Sequence, residues 1–313
     1  MLLDEVFAAL QPAALRQQWP LPQGGRFVDG TVGGGGHAAR ILERTAPAGR
    51  LLGLDVDPRA LEAARERLAA FGDRATLVRA NFAVCDEVAA AHGFGDCDGV
   101  LLDLGLSSLQ LADDTRGFSF RSEGALDMRL DPGLARTAAD IVNREGEGEL
   151  ARIFAEFGEE PEARRIAGAI ARRRITRPFE TAADLGRFVA GVKHRRSRAI
   201  DPATRVFQAL RIAVNDELEN LAQGLHAALA TLRPGGRLAV ISFHSLEDRV
   251  VKTFMTRESR DCICPPHLPT CVCGHRAGLR VVTRRPVRPG AAEVARNPRA
   301  RSAVMRVAEK LAS

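Results

Sequence analysis

Four consecutive glycines, Gly33 to Gly36, constrain this chain more than any other stretch. They lie in Phe27-Val28-Asp29-Gly30-Thr31-Val32-Gly33-Gly34-Gly35-Gly36-His37, behind a short apolar run and ahead of Ala38–Arg44, which has helical spacing. So flexible a run costs folding entropy and returns nothing in packing, so the core does not account for it. Between a strand and a helix, glycines permit tight turns with positive φ and let backbone approach a ligand with no Cβ in the way. The helix start adds free N–H groups and partial positive charge. The next strand, Arg50–Asp55, ends on an acid about 20 residues past the loop, where a carboxylate can accept the hydroxyls of a ribose. Loop and acid together point to an α/β fold that binds a nucleoside-containing ligand.

The surrounding rhythm agrees. Strand signals recur at Ala75–Arg79 and Asp98–Leu104, and a helix with Pro58 in its first turn runs to about Phe71. Strands alternating with helices make a parallel, doubly wound sheet. After Gly105 the alternation stops: Gly148–Phe157, Glu162–Arg174 and Thr181–Val192 are helical patterns, and no strand stands among them. This predicts a helical domain over 110–203 inserted into a sheet domain formed by 1–109 and 204–313. The sheet pattern returns with a long helix from about Thr204 to Leu232, a turn at Pro234-Gly235-Gly236 and a strand over Arg237–Phe243. A helix over Leu246–Thr256, a cysteine- and proline-rich loop over 259–278, and strands near Leu279–Arg284 and Ser302–Val307 follow.

The glycine loop admits two cofactors. Gly33-x-Gly35-x-x-Ala38 satisfies a loose dinucleotide pattern. Asp29-x-Thr31-x-Gly33-x-Gly35 equally fits the acid-led first motif of S-adenosylmethionine-dependent methyltransferases, in which the early acid faces the methionine amino group. The terminal strand pair suits a seven-stranded methyltransferase sheet better than a dehydrogenase. Asn81-Phe82 ends the third strand, where such folds set a residue against adenine, although Phe82 also reads as a core aromatic. Asp103 ends the fourth strand, and the carboxyl ends of parallel strands face the ligand crevice.

Charge adds a partner. Residues 163–205 carry a net +9 and residues 274–306 a net +8 against a whole-chain +6, so the remainder is strongly acidic. A basic surface on an acidic body suits a polyanion, because phosphate contacts supply most sequence-independent affinity for nucleic acid; a solvated helix face is the plainer alternative. No apolar run approaches the length of a membrane span, and Met1-Leu2-Leu3-Asp4-Glu5 does not open a secretory signal. Together with six cysteines in a long chain, this predicts a cytoplasmic protein in a reducing compartment.

Seven stretches, in order and spread over nearly the whole chain, resemble the bacterial 16S rRNA (cytosine-N4)-methyltransferase family. They are Val28-Asp29-Gly30-Thr31 with the glycines and His37, Leu102-Asp103-Leu104-Gly105-Leu106-Ser107-Ser108, Arg116-Gly117-Phe118-Ser119-Phe120, and Leu126-Asp127-Met128-Arg129. The others are Ala203-Thr204-Arg205-Val206-Phe207-Gln208-Ala209-Leu210-Arg211-Ile212, Ser242-Phe243-His244-Ser245-Leu246-Glu247-Asp248-Arg249, and Asn297-Pro298-Arg299-Ala300-Arg301-Ser302. The glycine loop alone is unspecific; the third and sixth stretches are highly specific. The resemblance implies a class I, Rossmann-like methyltransferase fold and S-adenosylmethionine as cofactor. It implies as acceptor the exocyclic N4 amine of a cytosine in the decoding region of 16S rRNA, offered as free RNA or as a small ribosomal subunit. It also implies cofactor contacts from Gly35, Gly36, His37, Asp55, Phe82, Asp103 and Gln110, to which the loop pattern adds Gly33. This chain departs from the family at Leu109, where proline is common, and in beginning almost at the Leu-Leu-Asp-Glu segment that a few residues, including a histidine, usually precede. Two other functions compete: a methyltransferase of the same fold acting on another base or on protein, and a non-catalytic RNA-binding assembly factor. Retention of the loop, Asp55 and Asp103 together speaks against the latter. Monomer and homodimer both remain open.

The acceptor sets the chemical problem. A cytosine amino lone pair is delocalised into the ring, so acceptors on its N–H groups must favour pyramidalisation and then take the proton. Asp103 is the candidate catalytic residue, with the carbonyls of Leu104 and Gly105 and the hydroxyls of Ser107 and Ser108 nearby in sequence. His244 is a second titratable candidate or a helix cap; Arg116, Arg121 and Arg129 are candidate phosphate ligands or salt-bridge partners. With no tyrosine and only Trp19, base stacking must rely on Phe118, Phe120, Phe179 or arginine planes. The target base must be unpaired or flipped out. The run Lys193-His194-Arg195-Arg196-Ser197-Arg198 is expected to meet phosphates. No metal is assigned to the reaction. Cys262-x-Cys264 and Cys271-x-Cys273 are either a structural zinc site or free thiols, since a C-x-C pair must strain its turn to chelate one ion.

Overall fold

Strands buried on both faces read as continuous apolar runs, and the runs at Phe27-Val28, Leu51-Leu52 and Val100-Leu101-Leu102 form the centre of a seven-stranded sheet. The computed structural model describes residues 2–10, 24–194, 201–265, 268 and 270–312; Trp19 and the Arg195–Arg198 portion of the basic run lie outside them. The chain divides into a sheet unit, Met1–Gly105 with Leu218–Ser313, and a helical unit, Leu106–Glu217.

In chain order the sheet unit opens with α1 (Leu3–Leu10), β1 (Arg26–Asp29), α2 (Gly36–Arg44), β2 (Arg50–Asp55), α3 (Pro58–Leu68), β3 (Ala75–Arg79), α4 (Cys85–Ala91) and β4 (Cys97–Asp103). The helical unit contributes α5 (Ser108–Ala112), α6 (Ala138–Arg144), α7 (Glu147–Glu156), α8 (Ala163–Arg173), α9 (Ala182–Val192) and α10 (Thr204–Asn215). Then come α11 (Glu217–Thr231), β5 (Leu232–Ser242), α12 (Ser245–Glu258), β6 (Leu279–Val281), α13 (Ala291–Arg296) and β7 (Val304–Lys310). The strand order is β3-β2-β1-β4-β5-β7-β6. β1 to β5 pair in parallel, and β7 runs antiparallel between β5 and β6. The chain moves outward from β1 through β3, then returns to lay β4 on the other side of β1. That reversal opens a crevice at the carboxyl ends of β1 and β4.

Local chemistry explains the joints. Asp57 accepts the Arg59 N–H and Pro58 occupies the first helical position, which together start α3. The Pro234-Gly235-Gly236 turn lies within β5 as an excursion, because pairing jumps from Cys97↔Leu232 to Gly99↔Arg237. Arg237, 2% exposed, pairs with Glu309 of β7 at 3.2 Å and donates to the Ala9 carbonyl of α1 at 2.9 Å.

The helical unit is longer than residues 110–203 at both ends. α10 turns Val206, Phe207, Ala209, Leu210 and Val214 into the same core as Ile153, Phe154, Ile166 and Leu185, so its apolar stripe belongs there. The long helix expected from Thr204 breaks instead at Asp216, whose φ of 48° is left-handed. Buried Asn215 holds the break: it accepts the Leu130 N–H at 2.6 Å and donates to the carbonyls of Met128 and Arg211, each at 2.8 Å. No helix among the described residues is long and apolar enough to cross a membrane.

Candidate cofactor and active site

Three neighbouring parallel strands of the sheet unit end in acids: Asp29 on β1, Asp55 on β2 and Asp103 on β4. Backbone ties fix their positions. The Thr31 N–H donates to Asp29 Oδ1 at 3.2 Å, and the Thr31 hydroxyl accepts the Asp103 N–H at 2.6 Å. Asp55 accepts the Gly33 N–H at 2.9 Å through Oδ2 and the Asp57 N–H at 2.9 Å through Oδ1. The acid expected to hold a ribose therefore also shapes the glycine loop. Each carboxylate oxygen can accept more than one hydrogen bond, so the two roles are compatible.

The loop glycines divide the work. Gly33 and Gly35 have φ of +51° and +77°, which favour glycine. A Cβ on Gly35 would lie 3.4 Å from Ala64 Cα, so this residue also lets α2 lie close to α3. At Gly36 a Cβ would meet only the tip of Arg67, at 3.4 Å. Phe82 follows β3 and is pressed on both sides by backbone: Cβ atoms on Gly30 and Gly224 would fall 3.0 Å and 2.3 Å from its side chain. Its ring thus packs against α11 as a core aromatic while standing beside the β1 loop.

Electrostatics single out two of the acids. Burial pushes Asp29 up to about 7, aided by the negative charges of Asp103 and Asp55 and opposed by the Thr31 N–H. Burial likewise raises Asp55 to about 6 against the N–H groups of Asp57 and Gly33. Asp103 is raised by burial too, with His37, whose Nδ1 lies 3.5 Å from Asp103 Oδ2, pulling the other way. Asp29 Oδ2 and Asp103 Oδ1 are buried with no hydrogen-bond partner among the described residues. Buried acceptors are nearly always satisfied, and a cluster of mutually destabilised carboxylates is satisfied best by a cation bearing N–H groups. The methionine end of S-adenosylmethionine, with its ammonium and sulfonium, is such a group, and Asp55 suits its ribose.

Other candidates find different employment. His244 caps α12: its Nδ1 accepts the Glu247 N–H at 3.3 Å, and Glu247 Oε2 accepts the N–H groups of Phe243 and His244 at 2.7 and 3.2 Å. The reading of His244 as a helix cap is the one observed. In the helical unit, Arg129 grips Asp127 with two bonds of 2.8 Å and donates to the carbonyls of Pro132 and Leu134, which accounts for it as a local clamp rather than a phosphate ligand. Arg116 donates to the carbonyls of Arg129 and Leu130 at 2.5 and 2.8 Å. Arg121 stays exposed, with its guanidinium 5.6 Å from the Phe120 ring centre. Lys193, expected on a phosphate, is instead within 2.8 Å of buried Glu160 and bonds the Pro202 carbonyl. Gln110 and Ser107 form the capping box of α5, where the Gln110 side chain accepts the Ser107 N–H at 2.9 Å and Ser107 Oγ accepts the Gln110 N–H at 3.2 Å. Thr31 belongs to the acid-led motif with no role read for it in the sequence; the structure gives it one, as the hydroxyl that accepts the Asp103 N–H. Asp29 was read as the motif's lead acid but left out of the cofactor contacts.

A seven-stranded sheet of this order with one antiparallel strand, a glycine loop after β1 and acids ending β1, β2 and β4 define a class I methyltransferase that uses S-adenosylmethionine. More narrowly, the chain belongs to the MraW methylase family, whose sequence pattern matches residues 1–311. It is 54% identical over 289 residues, 92% of this chain and 89% of the relative, to the ribosomal RNA small subunit methyltransferase H of Thermomicrobium roseum. It is 53% identical to the protein of the same name from Geobacter sulfurreducens, over 96% of this chain and 98% of the relative. The Heliobacterium mobile protein of that name is 50% identical over 99% of this chain and 98% of its own.

Proposed function

We propose that the chain transfers a methyl group from S-adenosylmethionine to the exocyclic N4 amine of a cytosine in the decoding region of 16S rRNA. The observation that carries the reading is the pair of buried, unpartnered oxygens on Asp29 and Asp103 at the crevice of the sheet unit. Relatives named for methylation of small-subunit ribosomal RNA supply the substrate class. When bound, the cofactor supplies a methyl group already activated for in-line displacement. The glycine loop and Asp55 hold its nucleoside, and Asp29 and Asp103 face its cationic end. With these groups fixed, the protein's main task is to orient the amine and keep water out. Asp103, raised above an ordinary carboxylate, is the stronger base for it, and its Oδ1, which can accept more than one hydrogen bond, takes an N–H of the amine and then the proton.

His37, Phe82 and Gln110 complete the proposed cofactor contacts. The helical unit serves substrate recognition. Arg195, Arg196 and Arg198 of its basic run meet phosphates, and the compartment is the cytoplasm. Incubation with labelled S-adenosylmethionine and either naked 16S rRNA or small subunits, followed by nucleoside analysis, tests the reading. N4-methylcytosine is expected. A label on any other nucleoside or on protein overturns it.

A further inference from the structure

Among the described residues of the connection from α12 to β6, none is a buried apolar side chain. Val272 is 78% exposed and Leu268 41% exposed, while the polar base of the loop is well tied. The Gly278 N–H donates to the Glu258 carbonyl at 2.9 Å; His275 lies 2.8 Å from the Arg260 carbonyl and 3.3 Å from Glu258 Oε2. Beyond that base, four sulfurs converge. The Sγ atoms of Cys262, Cys264, Cys271 and Cys273 all lie within 4.8 Å of one another. Cys271 and Cys273 are 3.6 Å apart, and Cys273 and Cys262 3.9 Å. A disulfide needs about 2.05 Å, and all four thiols are free. A tetrahedron of sulfurs at about 2.3 Å from a central zinc has edges of about 3.8 Å.

The two C-x-C arms interlock in a reciprocal way. Ile263, between the first pair, donates its N–H to Cys273 Sγ at 3.4 Å; Val272, between the second, donates to Cys264 Sγ at 3.4 Å. Each arm thus turns its middle peptide toward a sulfur of the other. The Cys271 and Cys273 sulfurs already stand 3.6 Å apart, close to the edge of about 3.8 Å that zinc requires, so this C-x-C turn reaches chelating geometry. Backbone N–H groups aimed at sulfur are also what orient and stabilise metal-bound thiolates.

From this geometry we propose that Cys262, Cys264, Cys271 and Cys273 form a tetrathiolate zinc site that orders the loop between α12 and β6. Four sulfur ligands leave no open position, so the ion is structural and stands apart from methyl transfer. It takes the place of the missing apolar core.

Untagged protein purified without chelator should carry roughly one zinc per chain by elemental analysis. Replacing zinc by cobalt should give the intense visible bands and thiolate charge-transfer absorption of a tetrahedral sulfur site. Cys262→Ser and Cys273→Ser should each lose the metal and open the loop to limited proteolysis, while keeping S-adenosylmethionine affinity by calorimetry. That affinity is the control for folding, and the cobalt spectrum of the unaltered protein does not depend on the variants. Less than about a tenth of a zinc per chain with no cobalt spectrum overturns the proposal. So does iron in place of zinc, or a mass four hydrogens lighter that reports two disulfides.

Discussion

The helical unit and the crevice end of the sheet treat buried charge in opposite ways. In the helical unit, the described buried and half-buried charges close on partners: Arg173 with Asp184, Lys193 with Glu160, Arg211 with Glu217, Arg129 with Asp127. In the sheet unit, three acids crowd at strand ends, and two of them present oxygens with no donor among the described residues. Paired charges secure a scaffold; unpaired ones carry a cost that only a ligand relieves. Substitutions that remove charge should therefore act on activity at the strand ends and on stability in the helical unit.

The largest effect is expected from Asp103→Asn. Single-turnover methyl transfer should slow by roughly 10²–10⁴-fold if Asp103 takes the proton. The midpoint of thermal unfolding should hold or rise, since the raised Asp103 pKa means its ionised form opposes folding. A rate within a factor of about three of the parent retires the base assignment.

Glu160→Ala is the counterpart in the helical unit. It strands the Lys193 ammonium in a site where Glu160 is itself 4% exposed, and should cost about 3–5 kcal/mol in denaturant unfolding of that unit. Cofactor affinity should stay put. A loss of affinity as large as the loss of stability breaks the division between the units.

Asp55→Ala should weaken S-adenosylmethionine about tenfold or more, from a lost charge-assisted hydrogen bond worth about 1.5–3 kcal/mol. It also frees the Gly33 N–H, so part of the loss comes from the loop. Calorimetry showing unchanged affinity removes Asp55 from the pocket. Gly35→Val, in contrast, strains a left-handed residue packed on α3 and should lower stability along with affinity.

pH sharpens the same point. Asp29, near 7, and Asp55, near 6, keep protons in the folded protein at pH values where the unfolded chain, with 3.8, has lost them. The contribution of these two acids to the stability of the ligand-free protein should thus be fullest below about pH 4 and be lost as pH rises through about 6 to 7. A cation favours the ionised acids, so cofactor affinity should climb between pH 5.5 and 7.5, by at most about tenfold per unit for each proton released. Calorimetry in buffers of different ionisation enthalpy reads that release, and none at pH 6.5 contradicts it.

The smallest effect concerns RNA. Replacing Arg195, Arg196 and Arg198 by alanine should flatten the log–log salt dependence of RNA binding by roughly 0.7 per lost contact. Lys193→Ala should show instead the instability of its broken pair. Equal slopes in parent and triple variant remove that run from the interface.

The sheet was legible because each of its signals is local. A buried run ending in Asp29, Asp55 or Asp103, with glycines or a proline behind it, declares a strand end and a turn within ten residues or so. What escaped depends on distance. Asp216 carries no glycine or proline signal, and the helix breaks there because Asn215 bonds Leu130 and Met128, far back in the chain. Lys193 sits in a basic run yet pairs with Glu160 on the far side of α8 and α9 in sequence. Charge in a sequence shows what is available for an interface; only tertiary pairing shows what is already committed.

The interrupted order of the sheet has a consequence for how the molecule is made. The helical unit is one continuous stretch and can complete its core as soon as it leaves the ribosome. The sheet cannot: β4, with Val100-Leu101-Leu102, must keep one edge bare until the whole insertion has been synthesised and β5 arrives. A bare, apolar parallel edge is what other chains add to, and slow, non-local pairing prolongs the exposure. The time between β4 and β5 is thus the interval in which this protein is most open to misassembly, and it is set by the rate of translation through the helical unit.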